Sequence, residues 1–444
     1  MKKIHILFML MVFTFTSVLW CIASGEKAGV KEKPTKEITI SVWTAYPETH
    51  EFSKWLGEKY HAANPHITID AVLFPQRALD EKIAATLPAG QAGDVIAAEI
   101  LSIMPYAEAG YVDYVPDKFT TWSKKNFPSS AIKFCTLPSS GKLFIIPYTL
   151  SAMCMFYNTD HFKEAGLAGP PKTIEEQMEY ARKVTKYDTD GNPVRVGLDL
   201  RLGGGGWGIC DKFQNQAMIP YGVDLLEQVG NKFRAAYNND AGVKAVQYYL
   251  DALYKYKVEG FETKSDAEGF GLGVCSMFER ESWVVSYMEG TAPNINYGSF
   301  LMPKGPGGWG TLVIPEGLFV SANSALKKEA WDFIEFWVND ENAIESFKRT
   351  GWQPGRINVD YSPIFNEYPQ LKAFVDAFNT PGHELIPYKV IPCNLEVRTR
   401  FGEMLLEALK RPELVNSPRD IRKALDEMAK ETNRILDEYE ILAE

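Results

Sequence analysis

Ile38-Thr-Ile-Ser-Val-Trp43 alternates apolar and polar positions, the period-two pattern of a strand entering a core. Phe52, Trp55 and Leu56 then share one helical face, and Asn64-Pro65 stops that helix. His66 to Phe74 returns to strand-like spacing. Asp94-Val-Ile-Ala-Ala-Glu99 is a short apolar run suited to a buried parallel strand. Strand–helix–strand order repeats through roughly the first 115 residues, which predicts α/β architecture with ligand sites where strands end at their carboxyl edge. A second unit opens near residue 150. Thr173-Ile-Glu-Glu176 has the form of a capping box, and Ile174, Met178 and Ala181 give its helix one apolar face. Trp331 to Val338 predicts a helix with Ala330, Phe333, Ile334 and Trp337 on one stripe, so Trp331 and Trp337 are assigned to the core. Phe401, Met404, Leu405, Ala408 and Leu409 follow helical spacing. Ser417-Pro418 opens a last helix carrying Ile421, Leu425, Met428, Ile435 and Leu436. No internal repeat appears.

The start of the chain has a different pattern. Lys2 and Lys3 precede an apolar run from Ile6 to Trp20, shorter than the ~20 residues a spanning helix needs; this is the layout of a secretory signal peptide. Cys21 follows directly, as in lipoproteins whose cysteine is cut free and lipidated, although Trp20 stands where such sites favour Gly, Ala or Ser. A simple cut after Ala23 or Gly25 is the alternative. Both predict export. Residues 26–37 carry almost nothing that packs and read as a solvated tether.

With 444 residues, the chain is about three times the ~150 residues of one domain, so two lobes are expected. Its net charge of -10 argues against a nucleic-acid partner, which needs a basic patch to neutralise phosphates. Aromatic content is high, with 10 Trp and 21 Tyr, side chains that fill cores and also line pockets for flat-faced ligands. Beyond Cys21 the cysteines are Cys135, Cys154, Cys210, Cys275 and Cys393. Their odd number and the lack of Cys-x-x-Cys favour buried free thiols over a disulfide framework or zinc site, with a single disulfide left open. No metal and no cofactor is expected.

Chemistry-bearing motifs are sparse. Gly203-Gly-Gly-Gly-Trp207-Gly208 contains G-x-G-x-x-G without the acidic residue or Gly-Lys-Ser/Thr that phosphate binding calls for, so it reads as a flexible loop bearing a tryptophan. Asp188-Thr-Asp190-Gly-Asn192 starts like a calcium loop, but its glycine comes two positions early and no Glu sits at the twelfth; a helix-to-strand turn is expected. There is no G-x-S-x-G and no H-E-x-x-H. Nothing in the spacing selects a catalytic carboxylate pair, and the chain is read as a non-enzyme.

Several segments, taken in order, resemble the bacterial extracellular solute-binding proteins of ABC importers, the family that includes maltose- and oligosaccharide-binding proteins. They are the strand ending in Trp43; Asn64-Pro65-His66-Ile67; Glu81-Lys-Ile-Ala-Ala-Thr-Leu-Pro-Ala-Gly90 leading into Gly93-Asp94-Val95; Ala107-Glu-Ala-Gly-Tyr111; and Gly141-Lys142-Leu143-Phe144 through Pro147-Tyr148. Tyr157-Asn158-Thr-Asp160-His-Phe162-Lys-Glu-Ala-Gly166, with Pro170-Pro171-Lys-Thr173 after it, is the most specific. Gly273, Met277 and Trp283, then Thr350-Gly351-Trp352-Gln353-Pro354, complete the series. Val274-Cys275-Ser276 departs from the small alanines usual there. The resemblance implies a type II periplasmic-binding-protein fold, with two α/β lobes, a hinge and a ligand cleft between them. The expected division is a signal peptide over 1–25 and a tether over 26–37. Residues 38–148 plus about 303–345 would form one lobe, and 149–302 plus about 346–444 the other.

A sugar presents apolar C–H faces and a rim of hydroxyls, which suits aromatic platforms with carboxylates, amides and Arg. The candidate ligand residues follow from position. Trp43 and Tyr46 leave the first strand at its carboxyl end, Glu99 does so on a later one, and Tyr148 marks the hinge crossing. Trp207, Trp283, Trp309 and Trp352 sit on loops or element ends, and Arg356 follows the last. Of these, Trp43 and Trp283 are the tryptophans singled out, because the family match falls on them. The reading is a membrane-tethered monomer, held only through a lipid on Cys21, that delivers a carbohydrate to ABC permease subunits. Its rivals are a binding protein for a polyamine or peptide, a secreted carbohydrate-active enzyme, and a sensor presenting bound sugar to a receptor kinase. Which sugar, and of what length, is open at this stage.

Overall fold

The computed structural model describes residues 36–203, 205–264 and 266–444, so the expected signal peptide and Cys21 lie outside the described residues. Ile38–Thr44 forms the expected strand and pairs in parallel with Ile67–Leu73 and with Val95–Glu99. Val95–Glu99 is antiparallel to the long strand Gly310–Val320. That strand also pairs antiparallel with Ile146–Ala152 and parallel with Glu384–Pro387, giving a six-stranded mixed sheet. Helix Pro47–Ala63 buries Phe52 and Leu56 against this sheet and ends at Asn64. One core gathers here from Ile40 to Tyr148, with Leu318–Val320 and the helix Lys327–Trp337 added from far along the chain. Trp331 and Trp337 are both buried in it.

At Met153 the chain leaves that sheet. Ile146–Ala152 belongs to it, while Cys154–Asn158 is the middle strand of a three-stranded antiparallel sheet with Met277–Arg280 and Tyr297–Phe300. Two further apolar clusters are built around this second sheet. One joins Phe162, Phe213, Tyr249 and the C-terminal helices Asn394–Leu409 and Pro418–Glu438; the other joins Phe156, Phe278 and Phe374. The chain returns to the first sheet between Tyr297–Phe300 and Gly310–Val320, and a later passage runs beside Met153's, where the Gln353 carbonyl accepts the Leu150 N–H at 3.1 Å.

Local chemistry accounts for several boundaries. Thr173 caps helix Ile174–Val184 by accepting the Glu176 N–H at 3.2 Å. Glu176 reaches back to the Lys172 N–H at 2.7 Å, one residue beyond the reciprocal bond of a capping box. Asp188 accepts the N–H groups of Asp190 and Asn192, but the turn it builds joins two strands, Lys186–Tyr187 and Pro193–Arg195, rather than a helix and a strand. The glycine run is only partly the expected loop, since Gly206, Trp207 and Gly208 form the first turn of helix Gly206–Phe213. The reason is packing. A Cβ at Gly206 would lie 2.1 Å from the Thr399 carbonyl oxygen, and one at Gly402 would lie 1.8 Å from that of Gly206. These glycines let two helices touch backbone to backbone. Cys135, Cys154, Cys210, Cys275 and Cys393 are all buried and free. No helix among the described residues is long and apolar enough to cross a membrane.

Candidate functional site

Strand ends on the first sheet converge as the α/β rule requires. Tyr46 follows the first strand, Glu99 is the last residue of its own, and Glu316 is the cross-strand partner of Glu99. The Tyr46 hydroxyl donates to Glu316 Oε1 at 2.8 Å, and the Tyr148 hydroxyl donates to Oε2 at 2.7 Å. Each oxygen of this buried carboxyl thus accepts one hydrogen bond, and each keeps a further acceptor site. Burial pushes Glu316 up to about 7, against the lowering effect of those two hydroxyls. Burial also raises Glu99, with the Arg398 guanidinium opposing. Glu48, in the first turn of Pro47–Ala63, accepts the Trp352 indole N–H at 2.8 Å.

From Trp352 the contacts pass to the second sheet and return. Trp352 lies against Tyr46, ring centroids 5.3 Å apart, and against Trp283 at 6.4 Å. Trp283 donates its indole N–H to Glu281 at 2.9 Å and carries the Arg280 guanidinium 4.9 Å from its ring centre. Arg280 pairs with Asp266 at 3.0 Å, which also pairs with Arg201 at 3.6 Å. Trp207, 42% exposed, stands between Arg201 at 5.7 Å and Arg398 at 6.0 Å. Arg398 stacks on Tyr388 at 4.0 Å, holds Asp211 through two bonds of 2.9 and 2.5 Å, and reaches Glu99 at 3.8 Å. From Glu99 to Glu316 to Tyr46 the circuit closes. A ring of aromatic faces, carboxylates and guanidinium groups therefore links the two sheets.

Beneath it Lys212, 1% exposed, sits 3.4 Å from Glu279 and 3.8 Å from Glu281. Asn215 lies one turn on, where the helix widens into a π turn over Gln214–Met218. Its amide donates to Glu279 at 2.6 Å, and its carbonyl accepts the Leu312 N–H at 2.7 Å, so it is bonded to a strand that crosses between cores. Burial lifts Glu279 to about 7 although Lys212 opposes it. Burial also raises Glu281, but there Arg280 and Lys212 outweigh it and hold the carboxyl well below its usual range. No group of three or more His, Cys, Asp or Glu among the described residues could hold a metal ion.

Of the residues expected from sequence, the structure brings together Tyr46, Glu99, Tyr148, Trp207, Trp283 and Trp352. It sets three apart. Trp43, 7% exposed, packs on Phe74 and donates to Ser41 within the first core. Trp309 donates to the Met302 carbonyl and packs edge-on against His383. Arg356 is covered by Trp122 and bonded to the Val338 carbonyl and Asp340. Sequence reasoning missed Glu48, Arg201, Asp266, Arg280, Glu316 and Arg398. Arg280 and Glu281 stand just before the matched Trp283, and that proximity was the available signal. Arg398 carried none, because it comes from a helix far along the chain. A groove of about 920 Å³ lies elsewhere, against Met178, Tyr221, Tyr248 and Tyr256. It contains none of the expected residues, and its Lys183 and Lys255 are already paired with Glu179 and Asp251.

Two sheets, repeated chain passages between them and a polar, aromatic ring spanning the join define a two-lobed α/β solute-binding protein. The chain belongs to the bacterial extracellular solute-binding protein family, whose model matches residues 55–373. A binding protein of Brucella abortus (strain 2308) is 23% identical over 350 residues, covering 75% of this chain and 78% of that one. The sn-glycerol-3-phosphate-binding periplasmic protein UgpB of Pectobacterium atrosepticum is 24% identical over 336 residues, 70% of this chain and 73% of its own. The solute-binding protein of an ABC transporter from Thermotoga lettingae TMO, bound with alpha-D-tagatose, superposes with a TM-score of 0.74 at 20% identity, covering 90% of this chain and all of that one.

Proposed function

We propose that this chain is the substrate-binding subunit of an ABC importer and holds a sugar or oligosaccharide within the ring that joins its two sheets. The observation that carries the reading is that ring. Tyr46, Trp352, Trp283 and Trp207 offer flat faces, while Glu48, Glu281, Arg280 and Arg398 offer charged hydrogen-bonding groups between them. Aromatic faces cover a pyranose's C–H surface, and charged partners bind its hydroxyls more strongly than neutral ones. A phosphate ester such as the relative's glycerol 3-phosphate fits less well, since Arg280, Arg201 and Arg398 already pair with Asp266 and Asp211. The separate apolar cores support lobes of 38–148 plus about 303–345 and of 149–302 plus about 346–444. In this reading the protein binds without turnover, works as a monomer, is exported behind residues 1–25, and is anchored through a lipid on Cys21 while it serves the permease.

Isothermal titration of the purified protein with mono- and oligosaccharides, with glycerol 3-phosphate alongside, tests the reading. The expected result is a sugar bound at micromolar affinity or tighter, about -8 kcal/mol, and recovered unchanged by chromatography. No heat with any sugar, or a sugar consumed, contradicts it.

A further inference from the structure

The two halves of the ring carry different charge. On the face built by the first core stand Glu48, Glu99 and Glu316, with Asp80 near enough to Glu99 to disfavour its ionisation and Glu48 and Glu99 both acting on Glu316 in the same sense. Among the described residues, Glu48, Asp80 and Glu316 have no Lys or Arg in ion-pair contact. Among the described residues, the one Lys or Arg in ion-pair contact with Glu99 is Arg398, at 3.8 Å and already bonded twice to Asp211. Across the cleft Arg280 is matched by Asp266 and Glu281, and Arg201 by Asp266. Among the described residues, the cations of that wall lie against its own carboxylates, Lys212 included, and none is in ion-pair contact with Glu48, Asp80 or Glu316. The apolar border of that side is the run Tyr46–Trp352–Trp283, whose ring faces attract cations as well as C–H groups.

Like charges held together without a counter-ion repel one another, and a solute that supplies positive charge relieves the repulsion. We infer that the bound solute carries a cationic amine, received by Glu99 and Glu316 beside the Tyr46–Trp352–Trp283 wall. The inference deepens the solute-binding reading and rests on the same ring. Two solute classes share that ammonium chemistry, an amino sugar and an aliphatic polyamine. The amino sugar satisfies the aromatic wall as well.

The test is titration at pH 7.5 with the β-1,4-linked glucosamine disaccharide, its di-N-acetylated counterpart, spermidine and glycerol 3-phosphate. The free amine is expected to bind about tenfold or more tightly than the acetylated sugar. In Glu99→Gln, and separately in Glu316→Gln, that ratio should fall below about threefold, with thermal melts confirming that each variant is folded. Two variants guard against one failing to fold. An acetylated sugar binding as tightly as the amine, a ratio unchanged in both variants, or binding of glycerol 3-phosphate alone would overturn the inference. Spermidine binding with no sugar of either form would support the amine and sink the carbohydrate reading. Neutral sugars binding alone would do the reverse.

Discussion

Trp352, buried as deeply as Trp43, lies between the rings of Tyr46 and Trp283, whereas Trp43 is wrapped by Phe74, Ser41 and Lys82, with Gly93 too close to admit a Cβ. Substitution should separate the two kinds. Trp352→Ala is expected to weaken sugar binding by ~2 kcal/mol, about thirtyfold in Kd, and to lower the melting midpoint as well, because the indole is buried and bonded to Glu48. Trp43→Ala is expected to cost ~3–5 kcal/mol of stability and to leave the affinity of the remaining folded protein unchanged. Calorimetry and urea unfolding of both variants read the two effects. Sequence reasoning could not part these tryptophans, because a strand end and a loop both place an indole near a carboxyl edge. What decides is which neighbours arrive from elsewhere in the chain. Arg356 shows the same limit, since it stands four positions after Trp352 yet turns its guanidinium onto Trp122. The arginine that joins the ring is Arg398.

Helix Gly206–Phe213 and helix Asn394–Leu409 approach so closely that Gly206 and Gly402 face backbone atoms of the opposite helix. This contact fixes Asp211 against Arg398 and sets Trp207 at the rim. Gly402→Ala, whose Cβ would lie 1.8 Å from the Gly206 carbonyl oxygen, should lose about 2 kcal/mol or more of stability, because overpacking against backbone cannot be relieved by a rotamer change. Gly203→Ala, with open space around it, should stay within about 0.5 kcal/mol. Urea denaturation of the pair tests the contrast. Helices with a continuous apolar stripe, such as Lys327–Trp337 and Pro418–Glu438, were legible from spacing alone. The glycine run was not. Glycine serves a loop and a tight helix crossing equally well, and only the partner helix, nearly 200 positions away, distinguishes them.

Across the whole molecule, buried carboxyls outweigh the groups that oppose them, His161, which burial lowers to about 4, and His383, lowered in the same way. Glu316 and Glu279 stand at about 7 through burial, against 4.5 for a free side chain. Between those values the folded state holds more protons than the unfolded one, so stability falls as pH rises through that window. The protein should be more stable at pH 5.5 than at pH 8 by about 1–3 kcal/mol, and Glu316→Gln should flatten part of that slope. Glu281 acts oppositely and only in stronger acid, where protonating it removes its attraction to Arg280 and Lys212. Melts between pH 5.5 and pH 8 read the slope. A flat or rising profile contradicts it.

At this scale the alternation of strands and helices and the ordered family segments made the architecture readable. The charge of the cleft was not readable, because Glu48, Asp266, Glu316 and Arg398 reach it from four separate regions of the chain. The central claim is that this ring is where the solute binds, and a crystal structure with the tightest-binding sugar tests it most directly. The account predicts the sugar lying against Tyr46, Trp352 and Trp283, with hydroxyl or amine groups within hydrogen-bonding distance of Glu99 or Glu316. A sugar found instead in the outer groove beside Tyr221 and Tyr256, with the ring left empty, would contradict it.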